Sequence, residues 1–287
     1  MPKQPLFASN DLAARLERAE VALIQSGVKA TQRLDPDCSA CAVPVGGGVA
    51  AFAGDNSPFN KVAGLGFSGP PQDSDLTTLR TTYAERKAPV QVELSTLADP
   101  TWAPALTGAS YALVGFENVL GTSISNPSVT SSDIEIESCE TNDIDDWLDV
   151  FVTGFMTPDG QGVPSHESFE HSMLKRALRT FAHMDSVTRF VARIDGAIVG
   201  SASMCMNDGV AILCGAATIP SHRRRGVQAA FLERRLALAH DQGCDVAIVT
   251  TAPGSKSQQN VQRRGFQLLY SRAILTLDTT TATHADA

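Results

Sequence analysis

A chain of 287 residues with 43% hydrophobic and 19% charged side chains has the composition of an ordinary globular protein, long enough for two domains. A formal net charge of −8 argues against nucleic acid as the main partner, and no apolar run reaches the ~18–20 residues that span a bilayer. The opening MPKQPLFASNDLAARLERAE is polar and amphipathic rather than a signal peptide, so a cytoplasmic protein with no membrane partner is expected.

Taken in order, Asn10 to Ser26 predicts a helix, with Leu12, Leu16, Ala19 and Leu23 on one face. Pro36, Gly46-Gly47-Gly48 and Gly54 then punctuate short hairpin strands such as Val49 to Phe52, and Asn60 to Phe67 reads as another strand. Cys38 and Cys41 form a C-x-x-C with no second pair at ligand spacing, so no metal is expected. Asp73 to Arg86 is helical, Val90 to Leu94 alternates as a half-buried strand, Pro100 to Ala109 is a short helix, and Tyr111 to Leu120 is a strand. The Ser-, Thr-, Gly- and Pro-rich run from Gly121 to Asp133 is the expected linker, dividing the chain into 1–125 and 133–277, with a disordered tail over 278–287.

The second half reads strand, helix, helix, strand, strand, strand, helix, strand, helix, strand. Trp147, Phe151 and Phe155 recur at helical spacing, as do Phe169, Met173, Ala177 and Phe181, and both sets read as core. Asp195-Gly196 between two apolar runs marks a type I′ hairpin. Val227 to Ala239 is apolar on two sides, which predicts burial between layers, with the first half as one of them.

Ahead of that helix lies the most informative stretch: an apolar strand, Val210 to Ile219, then Pro220 and the turn Ser221-His222-Arg223-Arg224-Arg225-Gly226. A helix start carries free N–H groups and the positive end of the dipole, so it binds anions. Gly226 lets a ligand approach the backbone, and the arginines supply charge-assisted hydrogen bonds to phosphate. Taken alone, such a turn could also be a basic surface turn capping an ordinary helix. It is not a nucleotide P-loop, since no GK[ST] follows, nor a three-glycine dinucleotide fingerprint.

The turn resembles the acetyl-CoA loop of the Gcn5-related N-acetyltransferases, [QR]-x-x-G-x-[GA], through Arg223, Gly226 and the Ile219-Pro220 approach; Gln228 stands where that family has glycine or alanine. Ser257 to Asn260 followed by Gly265-Phe266 resembles the family's S-x-x-N…GF ending. The resemblance covers about Ile134 to Leu277 and implies a mixed central β-sheet flanked by helices, an α/β fold. It implies acetyl-CoA as cosubstrate, held by Ala217, Thr218, Ile219, Arg223, Arg224, Arg225, Gly226, Val227, Gln228, Ala229 and Asn260. Gly215 suits the family's bulge, where two parallel strands splay and leave backbone groups for the pantetheine arm.

Gly108 to Leu120 echoes Arg264 to Leu275, aligning Tyr111 with Phe266 and Leu120 with Leu275, and Val90 to Leu94 mirrors Val246 to Thr250. The first half therefore reads as a degenerate copy, giving a tandem acyl-CoA N-acyltransferase fold. Its counterpart of the loop, Gly66 to Asp75, has acids and no arginine, so it is expected not to bind CoA.

The implied reaction moves an acetyl group to a primary amine of a small molecule or peptide by direct attack in a ternary complex. The family's tyrosine four residues before the Gly-Phe glycine is replaced by Val261, and Val210 to Ile219 holds no carboxylate. Tyr270 could reach the sulfur and could equally be a core tyrosine; Glu167, between His166 and His171, is the other candidate. Missing both customary groups, the chain has a second reading as an inactive acyl-CoA-binding sensor.

Overall fold

The computed structural model describes residues 6–125, 134–157 and 171–279. The first half contributes α1 (Asn10–Leu34), β1 (Cys41–Val45), β2 (Gly48–Phe52), β3 (Lys61–Ala63), α2 (Asp73–Ala84), β4 (Val90–Ser95), α3 (Trp102–Gly108) and β5 (Ala112–Ser123). The second contributes β6 (Glu135–Ser138), α4 (Ile144–Met156), α5 (His171–Ala182), β7 (Val187–Ile194), β8 (Ala197–Asn207), β9 (Val210–Ile212), β10 (Ala216–Thr218), α6 (Val227–Asp241), β11 (Val246–Thr251), α7 (Lys256–Gln262) and β12 (Gln267–Leu277).

All the strands join one mixed sheet in the order β1-β2-β3-β4-β12-β5-β11-β9-β8-β7-β6, with β10 pairing β8 alone. The last strand of each half lies beside the other half. β12 runs antiparallel to β4 from Arg272↔Ser95 to Leu277↔Val90, and β5 runs antiparallel to β11 from Val246↔Ser123 to Thr251↔Asn118. The segments aligned in the sequence echo thus hold matching places about the β5–β12 pair.

Helix α1 runs eight residues past the predicted Ser26. Gly27 does not break it because the bare Cα faces Phe59, whose ring a Cβ would meet at 2.9 Å, while Val28 and Ala30 continue the buried face. Ser9 caps the start, accepting from Leu12 N–H at 3.2 Å. The helix packs in one core cluster with Val49, Ala51 and Ala63 of the first half and Cys205, Val210, Ile212 and Val246 of the second.

Several expectations change. Phe155, read as core with Trp147 and Phe151, is 52% exposed near the C-terminal end of α4. The strand predicted over Asn60 to Phe67 is only Lys61–Ala63, because Gly64 and Gly66 turn the chain at φ +77° and +81°. The linker predicted from Gly121 begins later: Gly121 to Ser123 are β5, paired with Val246 to Ile248, and residues 126–133 lie outside the described residues. Helix α6 packs mainly on the second half, with Leu120 of β5 joining its core cluster. It buries Val227, Phe231, Leu232, Arg235 and Ala239 against β6, β7, β8 and β10, and Leu236 and Leu238 border that same cluster. Of the tail, Thr279 donates to Ala88 O at 2.6 Å and residues 280–287 lie outside the described residues. Among the described residues no helix is long and apolar enough to cross a membrane, and no cluster of three metal-ligating side chains is found.

Candidate acyl-CoA site

The site begins where two parallel strands part. β9 pairs β11 through Ile212↔Ile248, and Leu213 N–H still reaches Ile248 O at 2.9 Å. Gly215 then turns at φ +68°, and β10 continues against β8 alone. Val249 to Thr251 are left with an open edge facing β10.

Local chemistry holds the kink. A Cβ on Gly215 would lie 2.5 Å from the Phe151 ring, so only glycine fits above that aromatic. Ser203 Oγ donates to Cys214 O. From α6, Arg235 Nη1 donates to Ser203 O at 3.1 Å and Gly215 O at 3.2 Å, reinforcing the bulge beside the Ser203 N–H bond to Gly215 O at 3.4 Å. Burial pulls the Arg235 pKa down to about 10, so this guanidinium remains charged at neutral pH.

The gap opens onto the start of α6. Arg224 has φ +65° and Gly226, the N-cap, φ +91°. Left-handed residues among right-handed or extended ones turn successive N–H groups into an anion-binding nest. Among the described residues the amides of Arg224, Arg225, Gly226, Val227 and Gln228 have no acceptor, whereas Ala229 N–H already donates to Gly226 O at 2.9 Å. The Arg224 and Arg225 side chains are exposed. The nearest heavy atom to a Cβ on Gly226 would be Ile134 Cδ1 at 3.7 Å, so the space above the nest is open.

Other predicted residues take distinct places. Arg223 faces the protein: Nη2 donates to Gly154 O at 3.3 Å and Thr157 O at 2.5 Å, and Nε to Thr218 O at 3.3 Å, bracing the C-terminal end of α4. Ala217, Thr218 and Ile219 wall the gap. Ile219 N–H donates to Val199 O at 3.0 Å, so strand alternation turns Thr218 N–H away from β8. Gln228 Nε2 reaches Thr218 Oγ1 at 3.4 Å, and Val227 is buried beneath the turn. Asn260 is half-buried on α7, its side chain without a partner among the described residues.

Tyr270 lies elsewhere. It is on β12, separated from β11 by β5, on the face covered by α1, and its hydroxyl donates to Glu17 Oε1 at 2.8 Å. Burial and the Glu17 charge hold its pKa well above the usual value. Glu167, like His166, lies outside the described residues. The sequence reading missed Arg235; an arginine on the apolar face of a helix was the available signal.

The first half's counterpart is closed. At the start of α2, Asp75 Oδ2 accepts from Gln72 N–H at 2.9 Å and Oδ1 from Gly46 N–H at 3.2 Å, placing a carboxylate where an anion would sit. Trp102, in the place that the echo assigns to Ser257, is fully buried against Gly46 and donates to Gly69 O at 3.0 Å.

Residues 148–266 match the model of the acetyltransferase (GNAT) family. No curated protein matches the chain. Among solved structures, a GCN5-related N-acetyltransferase from Kribbella flavida is similar with a TM-score of 0.65 at 20% identity, covering 92% of this chain and 95% of that one. A tandem GNAT protein from the clavulanic acid biosynthesis pathway has a TM-score of 0.60 at 12% identity, covering 96% of this chain and 97% of the other. At such identities the likeness is one of fold, and the fold is the tandem acyl-CoA N-acyltransferase arrangement.

Proposed function

We propose, from the premise that residues 148–266 belong to the acetyltransferase (GNAT) family, that this chain transfers an acetyl group from acetyl-CoA to a primary amine of a small molecule or peptide within a ternary complex. One observation carries the reading: the β9–β11 pair opens after Ile212 directly beside the nest at the start of α6. The residues fit the cosubstrate. The open amides from Arg224 to Gln228, with the Arg224 and Arg225 guanidinium groups, would hold its pyrophosphate. The open strand edges offer backbone groups to the pantetheine arm, and Thr218 N–H would stabilise charge building on the thioester oxygen. Asn260 would contact the arm from α7. With Val261 in place of the family's tyrosine, and no carboxylate from Val210 to Ile219, amine attack depends chiefly on positioning, which can lower a barrier by ~7–11 kcal/mol in the best cases.

The first half, in this reading, binds no CoA and supports the sheet. The same two missing groups favour the alternative of an acyl-CoA-binding sensor without turnover. Incubation with acetyl-CoA and a panel of amines, following free thiol release, separates the two. Thiol release dependent on an amine supports the enzyme, and tight binding with no release across the panel supports the sensor. Acetyl-CoA at ~100 times its Kd should add about 2.7 kcal/mol of stability. A thermal shift with ATP equal to that with acetyl-CoA would refute both.

A further inference from the structure

Thr251 ends β11 at 6% exposure, and among the described residues its hydroxyl has no hydrogen-bond partner. A buried hydroxyl left unpaired is a cost that folded proteins normally avoid. The group placed to satisfy it is Asn118, directly opposite across the β5–β11 ladder. That amide is committed elsewhere: Nδ2 donates to Gln258 Oε1 at 3.4 Å, and Oδ1 accepts from Ser271 Oγ at 2.7 Å. Gln258 Oε1 in turn accepts from Gly254 N–H at 2.8 Å. Strand alternation puts Thr251 on the same face as Ala247 and Val249, which pack with Val227 and Phe231 of α6. The unpaired hydroxyl therefore stands at the open edge of the gap, on the face where the nest lies.

We propose that Thr251 Oγ–H donates a hydrogen bond to the sulfur of CoA and stabilises the leaving thiolate, an inference that rests on the acyl-transfer reading above. In that transfer the amine nitrogen forms a C–N bond to the acetyl carbon and the C–S bond breaks. The electron pair stays on sulfur, and the proton shed by nitrogen passes through water to the thiolate or to solvent. Threonine keeps its own proton throughout, and its hydrogen bond takes over the service that the residue at Val261 cannot give.

Ionisation of bound CoA tests this without knowledge of the acceptor. Thiolate ultraviolet absorbance is titrated with pH on the full chain carrying CoA, for the wild type, Thr251→Val and Thr251→Ser, with CoA affinity measured by calorimetry in parallel. The valine variant should bind CoA and melt no lower than wild type, since it removes an unpaired hydroxyl. Its bound thiol should ionise about one pH unit higher, a tenfold change in the ionisation constant. Serine should restore the wild-type titration. Identical titrations for wild type and valine, with CoA bound to both, overturn the inference and leave the cosubstrate reading standing. A serine variant that titrates like valine also overturns it. A wild type that fails to bind CoA overturns both.

Discussion

Arg272 is 1% exposed in the middle of the sheet, and the groups around it set the most unusual electrostatics of the molecule. Its Nε donates to Glu17 Oε1 and its Nη1 to Glu117 Oε1, both at 2.8 Å, and Glu93 and Glu20 stand at 3.6 and 3.9 Å. Lys61 Nζ donates to Glu93 at 2.5 Å. Four carboxylates thus share two cations. Burial, and then the charge of Glu93, push the Glu117 pKa up to about 7. Because the folded value lies above the ordinary 4.5, the folded state holds this proton more tightly. The stability it brings is full below about pH 4.5 and is lost as pH climbs through about 7. Thermal melts from pH 5 to 8 should therefore show a falling melting temperature, and Glu117→Gln should flatten that slope; an unchanged slope would remove Glu117 as its source. None of this was legible locally. Glu17 and Glu20 border the apolar stripe of α1 as ordinary boundary residues do, while Arg272 lies 255 residues from Glu17. A second residue, Arg224, adopts φ +65°, a conformation that costs a non-glycine residue about 1–2 kcal/mol. Arg224→Gly should melt at or above the wild-type temperature yet bind CoA about tenfold more weakly, through loss of a charge-assisted contact. Equal affinity by calorimetry would show that this side chain does not meet the ligand.

At the scale of elements, the turn into α6 was the most readable part of the chain. Pro220, three arginines and Gly226 encode a turn, a charge and a left-handed cap within seven residues, and the structure forms them there. The Asp195-Gly196 hairpin was equally local, with φ +51° and +79° at the two turn residues. The kink at Gly215 was legible as a glycine inside a strand, but its brace, Arg235, sits twenty residues away on the helix that follows. Gly226→Ala separates binding from folding. No atom lies within 3.4 Å of the added carbon, so the fold loses only the ~1–2 kcal/mol of the left-handed backbone. The methyl group would nevertheless cover the nest. Affinity for CoA should fall well beyond what the melting temperature suggests, and calorimetry beside thermal melts gives both quantities. Retained affinity would place the phosphates elsewhere.

For the whole molecule, the division into two similar halves was readable from the echo of Gly108 to Leu120 in Arg264 to Leu275, because repeated patterns survive in sequence. The exchange of their last strands was not, because nothing in a strand's own residues says which neighbour it pairs with. That exchange decides how the stoichiometry of CoA must be measured. Residues 1–125 alone would lack β12, leaving the facing edges of β4 and β5 unpaired and Glu17, Glu93 and Glu117 without Arg272. Breaking a buried ion pair by removing one partner costs about 3–5 kcal/mol, so this fragment should not fold alone, and its failure to bind would carry no information. The full chain is the right object. Its first half presents Asp75 at the start of α2 and Trp102 against Gly46, while its second presents open amides and two exposed arginines. The phosphates of CoA would meet repulsion at the one and attraction at the other. Calorimetric titration of the intact chain should give one CoA per chain, lost when Arg224 and Arg225 are both changed to alanine and unaffected by Asp75→Asn. A stoichiometry of two would mean that the closed half binds after all, and a single site that survives the double substitution would mean that the two arginines do not hold the ligand.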